Sequence, residues 1–91
     1  MNKVTEIIAN AIVLRFANAG ISDDIDLMRC YIFGMELAKI TDEQKGSVSF
    51  FLVRDCKSLL NLPFCVDDHA LQDIIEQAER IYAHFKEGVE E

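Results

Sequence analysis

The sequence predicts an all-α protein, a compact bundle of about four antiparallel helices, and three observations lead to this fold class. Apolar residues recur every three to four positions over most of the chain, which is the spacing of one helix face. Capping residues and glycines divide this pattern into segments of helical length. The connections are short and the chain has a single proline, so neighbouring helices should pack antiparallel. The predicted helices cover residues 3–19, 23–40, 42–60 and 68–87.

The first predicted helix, residues 3–19, has an apolar face that repeats at helical spacing. Its members are Val4, Ile7, Ile8, Ala11, Ile12, Leu14 and Phe16. Gly20 should end the helix, because glycine adopts the left-handed conformation that follows a last helical turn without steric cost. Ile21 should then fold back onto Phe16 in a Schellman motif.

The second predicted helix, residues 23–40, is apolar on nearly every side and is the element around which we expect the chain to be organised. Its only polar strip consists of Asp26, Arg29, Glu36 and Lys39. Ser22 should cap its start. Gly34 and Ala38 lie four residues apart, which lets another helix approach closely and would offset the cost of about 1 kcal/mol for a mid-helix glycine. Such a helix is either the centre of the bundle or partly covered by another chain.

The third predicted helix, residues 42–60, begins at an apparent capping box. Thr41 would cap the first turn, and Gln44 three residues later would reach back to it. Residues 47–53 have the β-branched and aromatic content of a strand, so helix and strand both remain open for them. We favour the helix, because a lone strand would have no partner.

The fourth predicted helix, residues 68–87, follows the loop that contains Pro63. Asp67 or Asp68 should cap it. It carries the clearest amphipathic pattern in the chain, with an apolar face of Leu71, Ile74, Ile75, Ala78, Ile81, Tyr82 and Phe85. Gly88 should end it and leave a short acidic tail, residues 88–91. No linker or repeat divides the chain, so residues 1–91 are expected to form a single helical domain.

The composition restricts the possible partners. The formal net charge is −7, which disfavours direct contact with nucleic acid or with an anionic membrane surface. No apolar run approaches the ~18 residues of a membrane-spanning helix. The three cysteines are an odd number without paired spacing, which argues against a disulfide framework and favours a cytoplasmic location.

One constellation has the chemistry of a metal or redox site, namely Cys65 and His69 together with Cys56. Structural zinc sites take three or four cysteine or histidine ligands, commonly presented as close pairs, and here there is one loose pair. The Asp67–Asp68 pair would also disfavour a reactive thiolate at Cys65. We therefore predict no catalytic residue, metal or cofactor, and keep a small metal or redox module as the weakest alternative.

The acidic residues cluster where helices are predicted to start, and capping of the helix dipole explains them. In an up-down bundle, the second and fourth helices start at the same end. Their acidic residues would then form a patch for a basic partner, with the members Asp23, Asp24, Asp26, Asp67 and Asp68. The alternative function is therefore an acidic inhibitor that mimics nucleic acid and binds a basic nucleic-acid-binding protein.

The apolar surplus is the strongest functional indication in the sequence. Six phenylalanines and two tyrosines accompany the apolar second helix, and a bundle of this size has difficulty burying them all. We therefore predict a non-enzymatic protein–protein interaction module, such as a small acidic regulator, adaptor, chaperone or inhibitor. The expected partner is a protein, with homodimerisation the first possibility. The predicted contact residues are Leu27, Tyr31, Gly34, Ala38, Phe50 and Phe51.

Overall fold

The computed structural model describes residues 3–89, and within that range the protein consists of helices and connecting loops without a strand. The α-helices are α1 (Lys3–Asn18), α2 (Asp24–Glu43), α3 (Phe50–Arg54) and α4 (Asp68–Val89), and a 3-10 helix (Lys57–Asn61) lies between α3 and α4. The prediction of an all-α bundle is confirmed. The first, second and fourth helices also match their predicted positions closely.

The turn between α1 and α2 forms as the sequence predicts. Gly20 has a positive φ of 111°, and the Ile21 amide donates to the carbonyl of Phe16 over 3.1 Å. The Gly20 amide donates to the carbonyl of Ala17, also over 3.1 Å, which completes a Schellman motif. This reversal places α2 antiparallel against α1.

The residue that caps α2 is Asp23, and the prediction of Ser22 is wrong. The Oδ2 atom of Asp23 accepts from the amides of Ile25 and Asp26 over 3.0 and 3.2 Å. A carboxylate at this position satisfies two free helix donors and also meets the positive end of the helix dipole. Ser22 lies one residue before this cap, and its side chain is exposed.

α1 and α2 approach each other closely at Gly34. A Cβ atom added there would lie 3.0 Å from the backbone oxygen of Ala9 and 3.1 Å from its Cα atom. Phe33 and Leu37 of α2 are fully buried beside this contact, as are Ile8 and Ile12 of α1. The predicted close helix packing at Gly34 is therefore confirmed, and the helix that fits against it is α1 of the same chain.

The predicted capping box at Thr41 is wrong, because α2 continues through it to Glu43. The Thr41 side chain is fully buried, and its hydroxyl donates to the carbonyl of Leu37 over 2.7 Å. A threonine can make this bond to the carbonyl four residues back and so remain inside a helix. Gln44 follows as the C-cap of α2, and positive φ values at Lys45 and Gly46 reverse the chain.

The predicted third helix, residues 42–60, is replaced by two short helical pieces. Residues 47–49 are not helical, and Ser49 caps α3 by accepting from the Leu52 amide over 3.4 Å. Residues 50–53 are helical. The segment 47–53, for which helix and strand were both open, is therefore a loop followed by a helix. The Glu79 carboxylate of α4 accepts from the Val48 amide over 2.8 Å and fixes this loop to the bundle.

α4 buries the face that its pattern predicts. Its buried residues are Leu71, Ile74, Ile75, Ala78 and Tyr82. Of the two candidate caps, Asp67 accepts from the Ala70 amide over 2.7 Å. The helix continues through Gly88 to Val89, so the predicted tail does not begin at residue 88, and residues 90–91 lie outside the described range.

Contacts along α4 define the direction of the helices. Phe64 lies in the loop just before α4, and its ring contacts that of Phe16 at the end of α1, with centroids 5.1 Å apart. Farther along, Gly46 after the end of α2 lies against the Tyr82 ring. α2 and α4 therefore begin at the same end of the molecule, and α1 runs antiparallel to both.

The contact at Gly34 yields a stability prediction. Gly34→Ala adds helix propensity worth about 1 kcal/mol, but the new methyl group would meet the backbone of Ala9, which cannot rotate away. We expect a net loss of about 1–2 kcal/mol in the free energy of unfolding, measured by urea denaturation. Arg80→Ala on the exposed side of α4 is the control and should change it by less than about 0.5 kcal/mol. A Gly34→Ala variant as stable as wild type would contradict the close approach.

The cap of α2 yields a second prediction. Asp23→Ala should lower the free energy of unfolding by about 1 kcal/mol, because two amides of the first turn lose their acceptor. Ser22→Ala is the matched control and should change it by only about 0.5 kcal/mol or less. Thermal unfolding followed by circular dichroism measures both. Equal effects of the two substitutions would refute the assignment of the cap to Asp23.

Candidate interaction surface

The outer side of α2 carries apolar side chains that the bundle does not cover. Ile25 is 65% exposed, Met28 59% and Ile32 47%, and Met35 is half-buried. These residues recur at intervals of three and four, so they lie along one line of the helix. We call the four residues the outer stripe. The buried residues of α2 face the opposite side: Cys30, Phe33, Gly34, Leu37, Ala38 and Thr41.

Charged residues border the outer stripe. Arg29 and Glu36 lie seven residues apart on one side of it, and Lys39 continues its line beyond Met35. All three are exposed. Arg29 makes an ion pair with Asp26 at 3.7 Å, with half of the arginine side chain still exposed. An exposed pair of this kind contributes little to stability, so Arg29 can exchange partners at low cost.

The structure divides the six predicted contact residues into three groups. Gly34 and Ala38 are buried in the chain, so the prediction that they contact a partner is wrong, and their small size serves the packing of α1. Leu27, Tyr31 and Phe50 are half-buried, and Phe50 packs against the core. Phe51 is 63% exposed and retains the surface position that the prediction needs.

The residues that sequence reasoning missed are Ile25, Met28 and Ile32. The signal was present, because the charged residues of α2 mark the side that faces water and these apolar residues lie between them. The prediction followed the small residues Gly34 and Ala38 instead, since small residues at that spacing permit close helix contact whether the second helix belongs to the same chain or to another.

A second exposed apolar group lies on α3 and the 3-10 helix. Beside Phe51, Leu52 is 46% exposed and Leu60 82%. The Arg54 guanidinium lies over the rings of Phe50 and Phe51, at 5.9 and 5.2 Å from their centroids. The two rings also form an edge-to-face pair with centroids 5.5 Å apart.

The predicted acidic residues lie at one end of the molecule, since α2 and α4 both begin there. Asp23 and Asp67 act as helix caps through the hydrogen bonds described above. Asp26 pairs with Arg29, and Asp24 and Asp68 occupy first helical turns. Asp23 and Asp67 therefore cap their helices, and Asp24, Asp26 and Asp68 lie in first turns, where the helix dipole favours negative charge.

The cysteines and histidines do not come together in a metal site. Cys56 is half-buried before the 3-10 helix, Cys65 is exposed in the loop before α4, and His69 is exposed on α4 beside Asp73 at 3.8 Å. Among the side chains that the structure describes, no group of three or more metal-ligating residues is arranged to hold an ion. The metal hypothesis therefore has no ligand set in this part of the chain.

Two shallow depressions flank the end of α1. One of about 220 Å³ lies between α1 and the loop before α4, and Arg15, Phe16, Phe64 and Cys65 contribute to its walls. The other, of about 400 Å³, is open and contains Arg15, Gln77 and Arg80. Arg15 donates to the Gln77 Oε1 atom over 3.0 Å and so joins α1 to α4. Cys65 and Asp67 both line the smaller depression.

Comparison of the chain with protein-family models, with curated proteins and with solved structures finds no match. None of the helices within residues 3–89 has both the length and the apolar character needed to cross a membrane.

The positions of the cysteines predict their reactivity. Burial and, to a lesser extent, the Asp26 carboxylate raise the pKa of the Cys30 thiol above its ordinary value, whereas Cys65 is exposed. The thiolate is the reactive form, so an alkylating reagent at mildly basic pH should modify Cys65 first and Cys30 only when the chain unfolds. Peptide mapping by mass spectrometry measures the order, with the urea-unfolded chain as control. Modification of Cys30 at the rate of Cys65 in the folded protein would show that α2 is not packed as described.

Proposed function

We propose that this protein is a non-enzymatic protein–protein interaction module, a small acidic regulator, adaptor, chaperone or inhibitor, that binds its partner through the outer stripe of α2. The observation that carries the proposal is the exposure of Ile25, Met28 and Ile32, which are between 47% and 65% exposed in one line. Burial of apolar surface is the main favourable term in most protein association, at about 25 cal/mol per Å².

An interface explains the arrangement of the outer stripe better than chance exposure of single apolar residues does. Single apolar residues scattered over a surface are normal, whereas a continuous apolar line bordered by charge is typical of interaction sites. On α1, Val4, Ile7, Ala11 and Leu14 follow the same spacing, but only Ile7 and Leu14 of this line are exposed, at 36% and 61%. α2 thus exposes three large apolar residues along one line, whereas α1 exposes two.

The overall charge supports a protein partner. With a net charge of −7, electrostatic attraction favours basic or locally complementary protein surfaces over phosphate groups. Three free cysteines, one of them exposed, are compatible with a reducing compartment, and we include a cytoplasmic location in the proposal.

The test is a substitution in the outer stripe. Ile32→Glu should abolish association, because it places a charge in the middle of the contact, and should leave the helical circular dichroism signal unchanged. Since Ile32 is already 47% exposed, the free energy of unfolding should change by less than about 0.5 kcal/mol. Association is measured in two ways: sedimentation velocity of the purified protein, and crosslinking in a lysate of the source organism.

The matched control is Leu14→Glu, which introduces the same charge at an exposed apolar position of α1. Leu14→Glu should give the wild-type result both in sedimentation velocity and in crosslinking. If wild type neither self-associates nor crosslinks to a protein in a manner that depends on Ile32, the proposal is wrong. If the two substitutions weaken association equally, the added negative charge and not the outer stripe is responsible.

A further inference from the structure

The outer stripe has the spacing of a coiled-coil seam. Its members Ile25, Met28, Ile32 and Met35 alternate in steps of three and four, which is the pattern of two successive heptads with apolar residues at their a and d positions. Arg29 and Glu36 then occupy the same flanking position of the two heptads. Residues at such flanking positions form ion pairs between helices and decide partner choice and orientation.

We propose that the partner of the outer stripe is a second copy of this chain, with α2 packed antiparallel against α2 of the second copy across a two-fold axis. This inference rests on the proposed function, since it names the partner for the same surface. Charge complementarity supports this orientation: between Asp26 and Lys39, the order of charges along α2 matches itself when the helix is reversed, and it does not match itself in the parallel direction.

The first complementary pair is Arg29 with Glu36. A two-fold axis perpendicular to two antiparallel helices brings the same flank of both helices together in reversed order. If the axis passes close to Ile32, midway between positions 29 and 36, Arg29 of one copy lies level with Glu36 of the other. Symmetry then forms this ion pair twice, one on each side of the Ile32 contact.

The second complementarity involves the ends of α2. In the same register, Lys39 of one copy lies level with Asp26 of the other, near the acidic start of that helix. A parallel pair would instead place Lys39 beside Lys39 and gather both acidic starts, Asp23, Asp24 and Asp26, at one end. Like charges brought together in this way are destabilising, so the antiparallel orientation is favoured.

The size of the contact indicates a weak and reversible dimer. The apolar seam from Ile25 to Met35 is roughly 15 Å long at the helical rise of 1.5 Å per residue. A contact of this length lies at the small end of specific interfaces, where association is transient. The dimer should therefore dissociate on dilution, and its affinity should respond measurably to single charges at its edge.

The experiment is a charge exchange at positions 29 and 36, with dimerisation measured by sedimentation equilibrium at low ionic strength. Arg29→Glu alone places an acidic group opposite Glu36 of the second copy, twice per dimer, and should weaken self-association about tenfold. Glu36→Arg alone should weaken it similarly. The double variant Arg29→Glu/Glu36→Arg restores both opposite-charge pairs and should dimerise as wild type does.

A mixture of the two single variants makes the test specific for the antiparallel arrangement. Each single variant then finds its complementary charge only in the other, so the mixture should form heterodimers with near wild-type affinity. In a parallel pair, position 29 would face Asp24 of the second copy. Neither the mixture nor the double variant would then regain the wild-type affinity. Circular dichroism of each variant confirms that the monomer remains folded.

Four results would overturn the inference, and only the last of them also concerns the proposed function. The antiparallel contact is refuted if the single variants dimerise like wild type. It is also refuted if the mixture of the two single variants does not regain wild-type affinity. Neither result refutes association through the outer stripe. A wild type that stays monomeric, but crosslinks to a different protein in a manner that depends on Ile32, refutes the second copy as partner and leaves the proposed function intact. Absence of both self-association and crosslinking refutes both.

Discussion

The close contact between α1 and α2 at Gly34 is the constraint on which the rest of the structure depends. With no side chain at position 34, the backbone of Ala9 can approach α2 directly, and Ile8, Ile12, Phe33 and Leu37 become fully buried around that contact. The energetic gain from burying these apolar groups exceeds the propensity cost of a mid-helix glycine. α4 then completes the core by placing Leu71, Ile74, Ile75 and Ala78 against the pair.

This contact also determines which side of α2 faces water. Once Gly34 and Ala38 are turned toward α1, the opposite side of the helix is directed outward, together with Ile25, Met28 and Ile32. Within residues 3–89, the segment between α2 and α4 forms only short helical pieces, so no further long helix covers that side. The proposed interaction surface is thus a consequence of the internal packing. In a bundle with three long helices within residues 3–89, a helix that is apolar nearly all round keeps one apolar side uncovered.

The segment between α2 and α4 shows how tertiary contacts shape a region of weak helical preference. Glu79 of α4 accepts from the Val48 amide, Ser58 of the 3-10 helix is buried, and Val53 enters the core. These contacts hold a loop, a single helical turn and a 3-10 helix in place of one continuous helix. Arg54 meanwhile lies over the rings of Phe50 and Phe51, although Phe51 remains 63% exposed.

The sequence by itself determined the fold class, the first, second and fourth helices, the Schellman turn at Gly20 and the buried face of α4. Each of these features depends on local periodicity or on a residue with a special backbone preference. Only the tertiary structure decided the role of Thr41. Its local sequence is that of a cap, but its position on the buried side of α2 makes continuation of the helix more favourable, and its hydroxyl is satisfied by Leu37. The tertiary structure likewise decided that Gly34 and Ala38 face α1 and that Ile25, Met28 and Ile32 face outward. Periodicity shows which residues share a side of a helix, but only the positions of the other helices show which side is covered.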